Sequence, residues 1–167
     1  MGPGAKPREE TAVTSARILV ADNERSIREL LSITLKKEGY DVSTADGGEA
    51  ALEAVRREPF DLVITDVRMP KVDGIEVLKV VKELAPDTGV IMITAFSSTE
   101  TAVEAMKLGA YDYITKPFKL DEIKLIIRNA LERKRLREEN LNLRKQLETQ
   151  YRFENIIGKS PKIVEVF

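Results

Sequence analysis

The sequence predicts a doubly wound α/β fold, a parallel sheet covered by helices on both faces. Three observations predict it. Short apolar runs alternate with amphipathic helical patterns, three of those runs are apolar at consecutive positions, and glycines follow two of the helical patterns. A strand with one wet face alternates polar and apolar residues, whereas a strand covered on both faces is apolar throughout. Alternating strands and helices, joined by right-handed crossovers, give one domain of about 120 residues.

The first strand is RILVA at 17–21, and the second is DVSTA at 41–45. DLVIT at 61–65, GVIMIT at 89–94 and YDYIT at 111–115 complete a set of five. Between them lie helical patterns at 26–38, 48–58, 75–84 and 99–108. In the first of these, Ile27, Leu30, Leu31 and Leu35 fall on one face and predict a buried stripe. Gly39 and Gly109 stand just past helix ends, where a left-handed residue closes the last turn.

From Leu120 the composition changes. LDEIKLIIRNALERKRLREENLNLRKQLETQ contains neither glycine nor proline and favours helix throughout. Its first part carries Ile123, Ile126, Ile127 and Ala130 as a stripe that fits the sheet. Farther on, Leu136, Asn140, Leu143 and Leu147 recur at 4-3-4 spacing, the seam of a two-stranded coiled coil. Asn140 at a core position is suited to fixing a parallel pair, and Glu139 and Arg144 flank the seam. The predicted organisation is a flexible leader (1–16), the α/β domain (17–133), a helical linker (134–152) and the start of a further module (153–167).

Composition excludes several chemistries. The chain has 167 residues, 43% hydrophobic and 33% charged, with 27 basic against 28 acidic side chains. That balance offers no basic arm for nucleic acid. It has no cysteine and no histidine, so thiolate sites, imidazole bases and His-ligated zinc are absent. No apolar run approaches the roughly 18 residues of a membrane span, and no secretory signal layout is present. A cytosolic setting is expected. Gly158-Lys159-Ser160 mimics the end of a phosphate loop, but Phe153 stands where that pattern wants glycine.

In open α/β sheets, ligands gather at the carboxyl ends of the strands. There the first strand ends in Asp22-Asn23, the third in Asp66, the fourth in Thr94 and the fifth in Thr115-Lys116-Pro117. Each has an ordinary explanation alone: a terminal Asp caps the next helix, and a lysine or threonine is surface or strand filler. Polar groups at four of five strand ends form a constellation. Carboxylates crowded together call for a cation, and all-oxygen ligands favour a hard ion such as Mg2+, with Mn2+ a substitute. A lysine and a threonine hydroxyl complement an anion. Together they describe a cradle for a phosphoryl group, with Asp66 the candidate nucleophile.

RILVADNE, DLVITDVRMPKVDGIEVL, VIMITAFSS and AYDYITKPF fall in order at suitable distances and resemble the receiver domain of two-component response regulators. The resemblance covers 17 to about 133. It implies a flavodoxin-like five-stranded parallel sheet of order 2-1-3-4-5. It implies that Asp66 accepts a phosphoryl group from a sensor histidine kinase, and that Asp22, Asn23, Asp66 and the Arg68 carbonyl hold the magnesium. Thr94 and Tyr113 take the switch positions, Lys116 pairs with the phosphoryl group, and Lys116-Pro117 is expected to be cis. No turnover beyond self-phosphotransfer and self-dephosphorylation is expected. Asn23 departs from the family's acidic pair, so magnesium is expected to bind more weakly than in an acid-acid site.

FENIIGKSPKIVEVF resembles the opening of the AAA+ module of sigma-54-dependent transcriptional activators of the nitrogen-regulation class. Receiver, helical linker and ATPase module follow one another in that class, with a separate DNA-binding domain. The implied role is a phosphorylation switch that controls dimerisation through linker and receiver, without direct contact to nucleic acid or membrane. Two other readings compete. A degenerate receiver could serve mainly as a coiled-coil dimerisation module, with Asn23 as its supporting feature. An aspartate-nucleophile phosphatase would carry D-x-D at the catalytic strand, but Arg68 stands two residues after Asp66.

Overall fold

Side-chain alternation within the strands sorts the core into two layers. The computed structural model describes residues 16–95 and 98–157. Its strands are β1 Arg17–Ala21, β2 Asp41–Ala45, β3 Leu62–Asp66, β4 Gly89–Thr94 and β5 Asp112–Thr115. They form one parallel sheet in the order β2-β1-β3-β4-β5. The helices are α1 Arg25–Lys37, α2 Gly48–Arg57, α3 Gly74–Leu84, α4 Thr99–Lys107 and α5 Leu120–Ile157. The doubly wound architecture and its strand order are those the sequence predicts.

Ile18, Val20, Leu62, Ile64, Ile91 and Ile93 point to one face of the sheet. There they meet Leu31 and Leu35 of α1 and Ile123, Ile127 and Ala130 of α5. Leu19, Ala21, Val63, Val90 and Met92 point to the other, against Ala51 of α2, Val77, Leu78 and Val81 of α3, and Ala105 of α4. The three apolar strands are buried on both faces, so each side chain removed from water stabilises the fold by about 1.5–3 kcal/mol before entropy is counted.

The structure corrects three details. Leu30 is 41% exposed rather than part of the buried stripe, because the i, i+4 row through Leu31 and Leu35 is the one seated on the sheet. β3 starts at Leu62, not 61, and keeps Asp66 as its last residue. Asp61 instead ties the strand's entrance to β1, exchanging a backbone N–H···O bond and accepting the Arg17 N–H on its carboxylate. β5 starts one residue late, at Asp112, whose carboxylate accepts the Tyr113 N–H.

Both predicted terminal glycines have positive φ, 97° at Gly39 and 105° at Gly109. Lys71, in the loop between β3 and α3, is the only non-glycine described with positive φ, at 68°. An L side chain there costs about 1–2 kcal/mol, against the 0.5–1 kcal/mol of extra unfolded-chain freedom that glycine brings. Lys71→Gly is therefore expected to raise stability by about 0.5–1 kcal/mol. A urea-unfolding midpoint unchanged or lowered in that variant would contradict this.

The same loop is drawn tightly onto β3. A Cβ on Gly74 would lie 2.1 Å from the Asp66 carbonyl oxygen, so only glycine lets α3 start this close to the strand end. Asp73 caps α3 by accepting the Glu76 N–H at 3.0 Å.

The chain divides into two compact units between Leu131 and Glu132. In the second, α5 runs on through Ile157, and Leu136, Leu143 and Leu147 are half or more exposed along it, with Asn140 exposed as well. Intrahelical pairs such as Lys134–Glu138 and Arg135–Glu132 support it, and Glu139 faces Arg135 at 3.7 Å. No described helix is long and apolar enough to cross a membrane. The predicted leader lies outside the described residues except for Ala16, and so does most of the further module, from 158 onward.

Candidate functional site

β1 and β3 are neighbours, with Ala21 opposite Thr65, so the residues that end them come out side by side. Asp22 follows β1 directly and Asp66 ends β3; both are buried. Two backbone bonds orient them: Asp22 Oδ1 accepts the Glu24 N–H at 2.8 Å, and Asp66 Oδ1 accepts the Arg68 N–H at 3.2 Å. Asp22 is not a helix cap. The N–H it accepts belongs to the N-cap residue of α1 and not to its first turn.

Lys116 enters from the end of β5, where its backbone N–H donates to the Thr94 carbonyl at 2.8 Å. Its ammonium donates to Asp22 Oδ2 at 3.0 Å, Asp66 Oδ2 at 3.1 Å and Glu24 Oε1 at 2.7 Å. Three N–H bonds meet three carboxylates, so the ammonium is fully used. The Lys116–Pro117 bond is cis.

Glu24 is the residue that sequence reasoning missed. It stands in the same VADNE run, one place beyond the neutral Asn23. It is the N-cap of α1, yet its side chain makes no cap bond and reaches Lys116 instead. The available signal was the carboxylate next to a missing charge.

Burial acts oppositely on the two partners. For Lys116, burial pulls the ammonium pKa down, but hydrogen bonds to Glu24, Asp22 and Asp66 more than offset it and hold the pKa above the ordinary lysine value. For Asp22, burial is the largest influence and raises the carboxyl pKa. The Glu24 N–H and Lys116 lower it, the Asp66 charge raises it again, and the net direction is up. One ammonium shared by three carboxylates cannot neutralise them all.

A carboxyl group whose folded pKa is raised binds protons more tightly when folded. Its relative stabilisation is present at low pH and lost as pH rises through the folded pKa. Asp22→Asn is therefore expected to stabilise the cation-free domain by about 1 kcal/mol at neutral pH, the usual trade at a site built for function. The gain should shrink toward the acid range, where the wild-type carboxyl holds its proton. Urea midpoints of both proteins at several pH values in chelator check this, and a variant less stable than wild type at neutral pH would refute it.

Of the remaining predicted positions, Asn23 and Arg68 adjoin this cluster in sequence, and Thr94 ends β4, the strand beside β3, and is fully buried. Tyr113 packs against the core on the α2–α4 side, and its buried Oη has no hydrogen-bond partner among the described residues. Asn23 and Arg68 are exposed and line a groove of about 630 Å³ beside the cluster, together with Pro70 and Thr101. The seam residues Leu136, Asn140, Leu143 and Leu147 belong to the second unit.

The donors fit a hard divalent cation. Carboxylate oxygens of Asp22, Glu24 and Asp66 lie within 4.8 Å of one another. Opposite ligands on a magnesium ion are about 4.2 Å apart, so this spacing is of the right order for one ion. The set is all oxygen and carries an excess of negative charge.

Comparisons with known proteins identify the family. The family model for the response regulator receiver domain matches residues 18–128. The chain is 37% identical over 150 residues to the regulatory protein AtoC of Escherichia coli K12, covering 90% of this chain and 32% of that protein. It is 46% identical over 121 residues to the transcriptional regulatory protein ZraR of Klebsiella oxytoca, covering 72% and 27%. The chain thus spans about a quarter to a third of the length of these curated relatives. Among solved structures, NtrX from Brucella abortus superposes with a TM-score of 0.72 at 39% identity, covering 78% of this chain and 30% of that one. The beryllofluoride-activated NtrC4 receiver domain dimer gives 0.67 at 40% identity, covering 71% and 98%. The chain belongs to the response regulator receiver domain family.

Proposed function

We propose that this domain is a phosphorylation switch in which Asp66 accepts a phosphoryl group from a phosphohistidine of a sensor kinase. The observation that carries the reading is the buried Asp66 carboxylate at the end of the central strand, held by the Arg68 N–H and the Lys116 ammonium beside a second buried carboxylate. A carboxylate oxygen of Asp66 attacks phosphorus, the P–N bond breaks, and the imidazole leaves with the electron pair. A carboxylate nucleophile needs no general base, which suits a chain without histidine.

Asp22, Asp66 and the Arg68 carbonyl, with Asn23 and the Glu24 carboxylate beside them, are the groups that would hold a magnesium or manganese ion, which would supply charge neutralisation to the transferring phosphoryl oxygens. Lys116 keeps its bond to the Asp66 side and gives a cation to the new phosphoryl group. Thr94, buried at the adjacent strand end, supplies a hydroxyl toward it. Tyr113 takes the switch position that turns inward as Thr94 moves, and its hydroxyl is already buried, with no partner among the described residues. Adding about two negative charges at one strand end is the bias that moves such a two-state surface.

The output follows from the second unit. Leu136, Asn140, Leu143 and Leu147 form a seam on one helix face, and a second copy of this chain is the partner that covers it. In a longer chain, the switch would control the assembly of a sigma-54-dependent AAA+ activator with its own DNA-binding domain. Asn23 favours one competing reading, a receiver that has lost its chemistry and serves only to dimerise. Light scattering with and without beryllium fluoride and Mg2+ separates them, run on this chain and on a version ending at Ala130. A shift in association with the phosphoryl mimic, lost on truncation, is expected. A dimer indifferent to the mimic would favour the degenerate reading.

A further inference from the structure

Resting on the reading of Asp66 as phosphoacceptor, we infer that Glu24 is a positioning residue: a latch that holds Lys116 in the resting state and competes with the phosphoryl group for it. The three contacts of the ammonium are not equivalent. Asp22 and Asp66 are buried, and each is fixed by a backbone N–H from its own loop. The Glu24 side chain is 56% exposed, makes no cap bond, and gives the shortest of the three contacts, 2.7 Å.

Lys116 has three N–H bonds and all are engaged. To reach an oxygen of a phosphoryl group on Asp66, the ammonium must release one carboxylate. Releasing Asp22 would leave a buried charge unpaired, which is costly. Releasing Glu24 returns an exposed carboxylate to water, which costs little. Glu24 is thus the partner that yields. It also restores the negative charge that Asn23 lacks, two elements of one loop acting in opposite directions on the site.

A contact made in one state only shifts the equilibrium between the two. The Glu24–Lys116 pair stabilises the resting state, and in the phosphorylated state the same carboxylate adds repulsion toward a dianion. Removing it should therefore weaken cation binding, because a negative charge is lost, and strengthen phosphoryl binding, because the latch is gone. A residue that merely supports the loop would move both in the same direction or neither.

The test is a titration of this chain, its Glu24→Ala variant and its Glu24→Gln variant. Magnesium affinity is measured calorimetrically without phosphoryl mimic, and beryllium fluoride affinity is then measured at saturating Mg2+. Both variants should bind Mg2+ roughly threefold more weakly and beryllium fluoride roughly threefold more tightly, the scale of one exposed ion pair. Beryllium fluoride binding that is unchanged or weaker in the variants, with wild type binding normally, overturns the latch alone. Wild type that takes up no beryllium fluoride at any Mg2+ concentration overturns the phosphoacceptor reading itself.

Discussion

Asp66→Asn is expected to abolish phosphoryl uptake from acetyl phosphate in the presence of Mg2+, by more than about a thousandfold in rate. The substitution keeps the shape of the side chain and its hydrogen bond from the Arg68 N–H, but removes the anionic nucleophile. No neighbour can replace it. Both oxygens of Asp22 are engaged, by the Glu24 N–H and by Lys116, and Glu24 stands at the solvent edge. Asp66→Asn also lowers the charge crowded around one ammonium, so the fold should be at least as stable as wild type, and loss of uptake cannot be ascribed to unfolding. Intact-protein mass spectrometry after incubation reads the result directly. Equal modification of wild type and variant would move the phosphoacceptor elsewhere in the chain.

The parts of this site legible in the sequence are those set by backbone periodicity. β1, β3 and β4 are apolar because helices cover both their faces, and their ends are fixed where the apolar run stops. Asp22, Asp66, Thr94 and Lys116 were therefore placed on one edge by strand ends alone. What periodicity does not contain is side-chain reach. Glu24 lies past the strand end and before the first turn of α1, where neither a period of 2 nor one of 3.6 applies. Its rotamer is decided by an ammonium 92 residues away in sequence. Leu30 misleads for the opposite reason: it shares the helical period with Leu31 and Leu35, but the width of the stripe depends on how closely the sheet approaches. The helix starting at Leu120 was legible because no glycine or proline interrupts it, but it runs on to Ile157, five residues past the expected linker end at 152.

Lys116→Met carries the largest expected effect on stability, a loss of about 3 kcal/mol at neutral pH in the presence of chelator. Methionine fills a similar volume without charge, so packing changes little. The wild-type side chain is 9% exposed and pairs with two buried carboxylates, of which Asp22 is already pushed above its ordinary pKa by burial. Taking the ammonium away leaves both uncompensated and lifts that pKa further. The variant should then bind a proton in the folded state, so its deficit is greatest at neutral pH and narrows toward the acid range. In the wild type, Lys116 holds its proton more tightly than an ordinary lysine. Its contribution is thus complete below the unfolded lysine range and disappears only above it, leaving the neutral region flat. A divalent ion can supply the missing positive charge, so millimolar Mg2+ should return most of the lost stability to the variant while shifting the wild type less. Urea midpoints in chelator and in Mg2+ test both halves. A variant as stable as wild type in chelator would mean that the three carboxylates do not need the lysine. A deficit untouched by Mg2+ would mean that its role is packing, not charge.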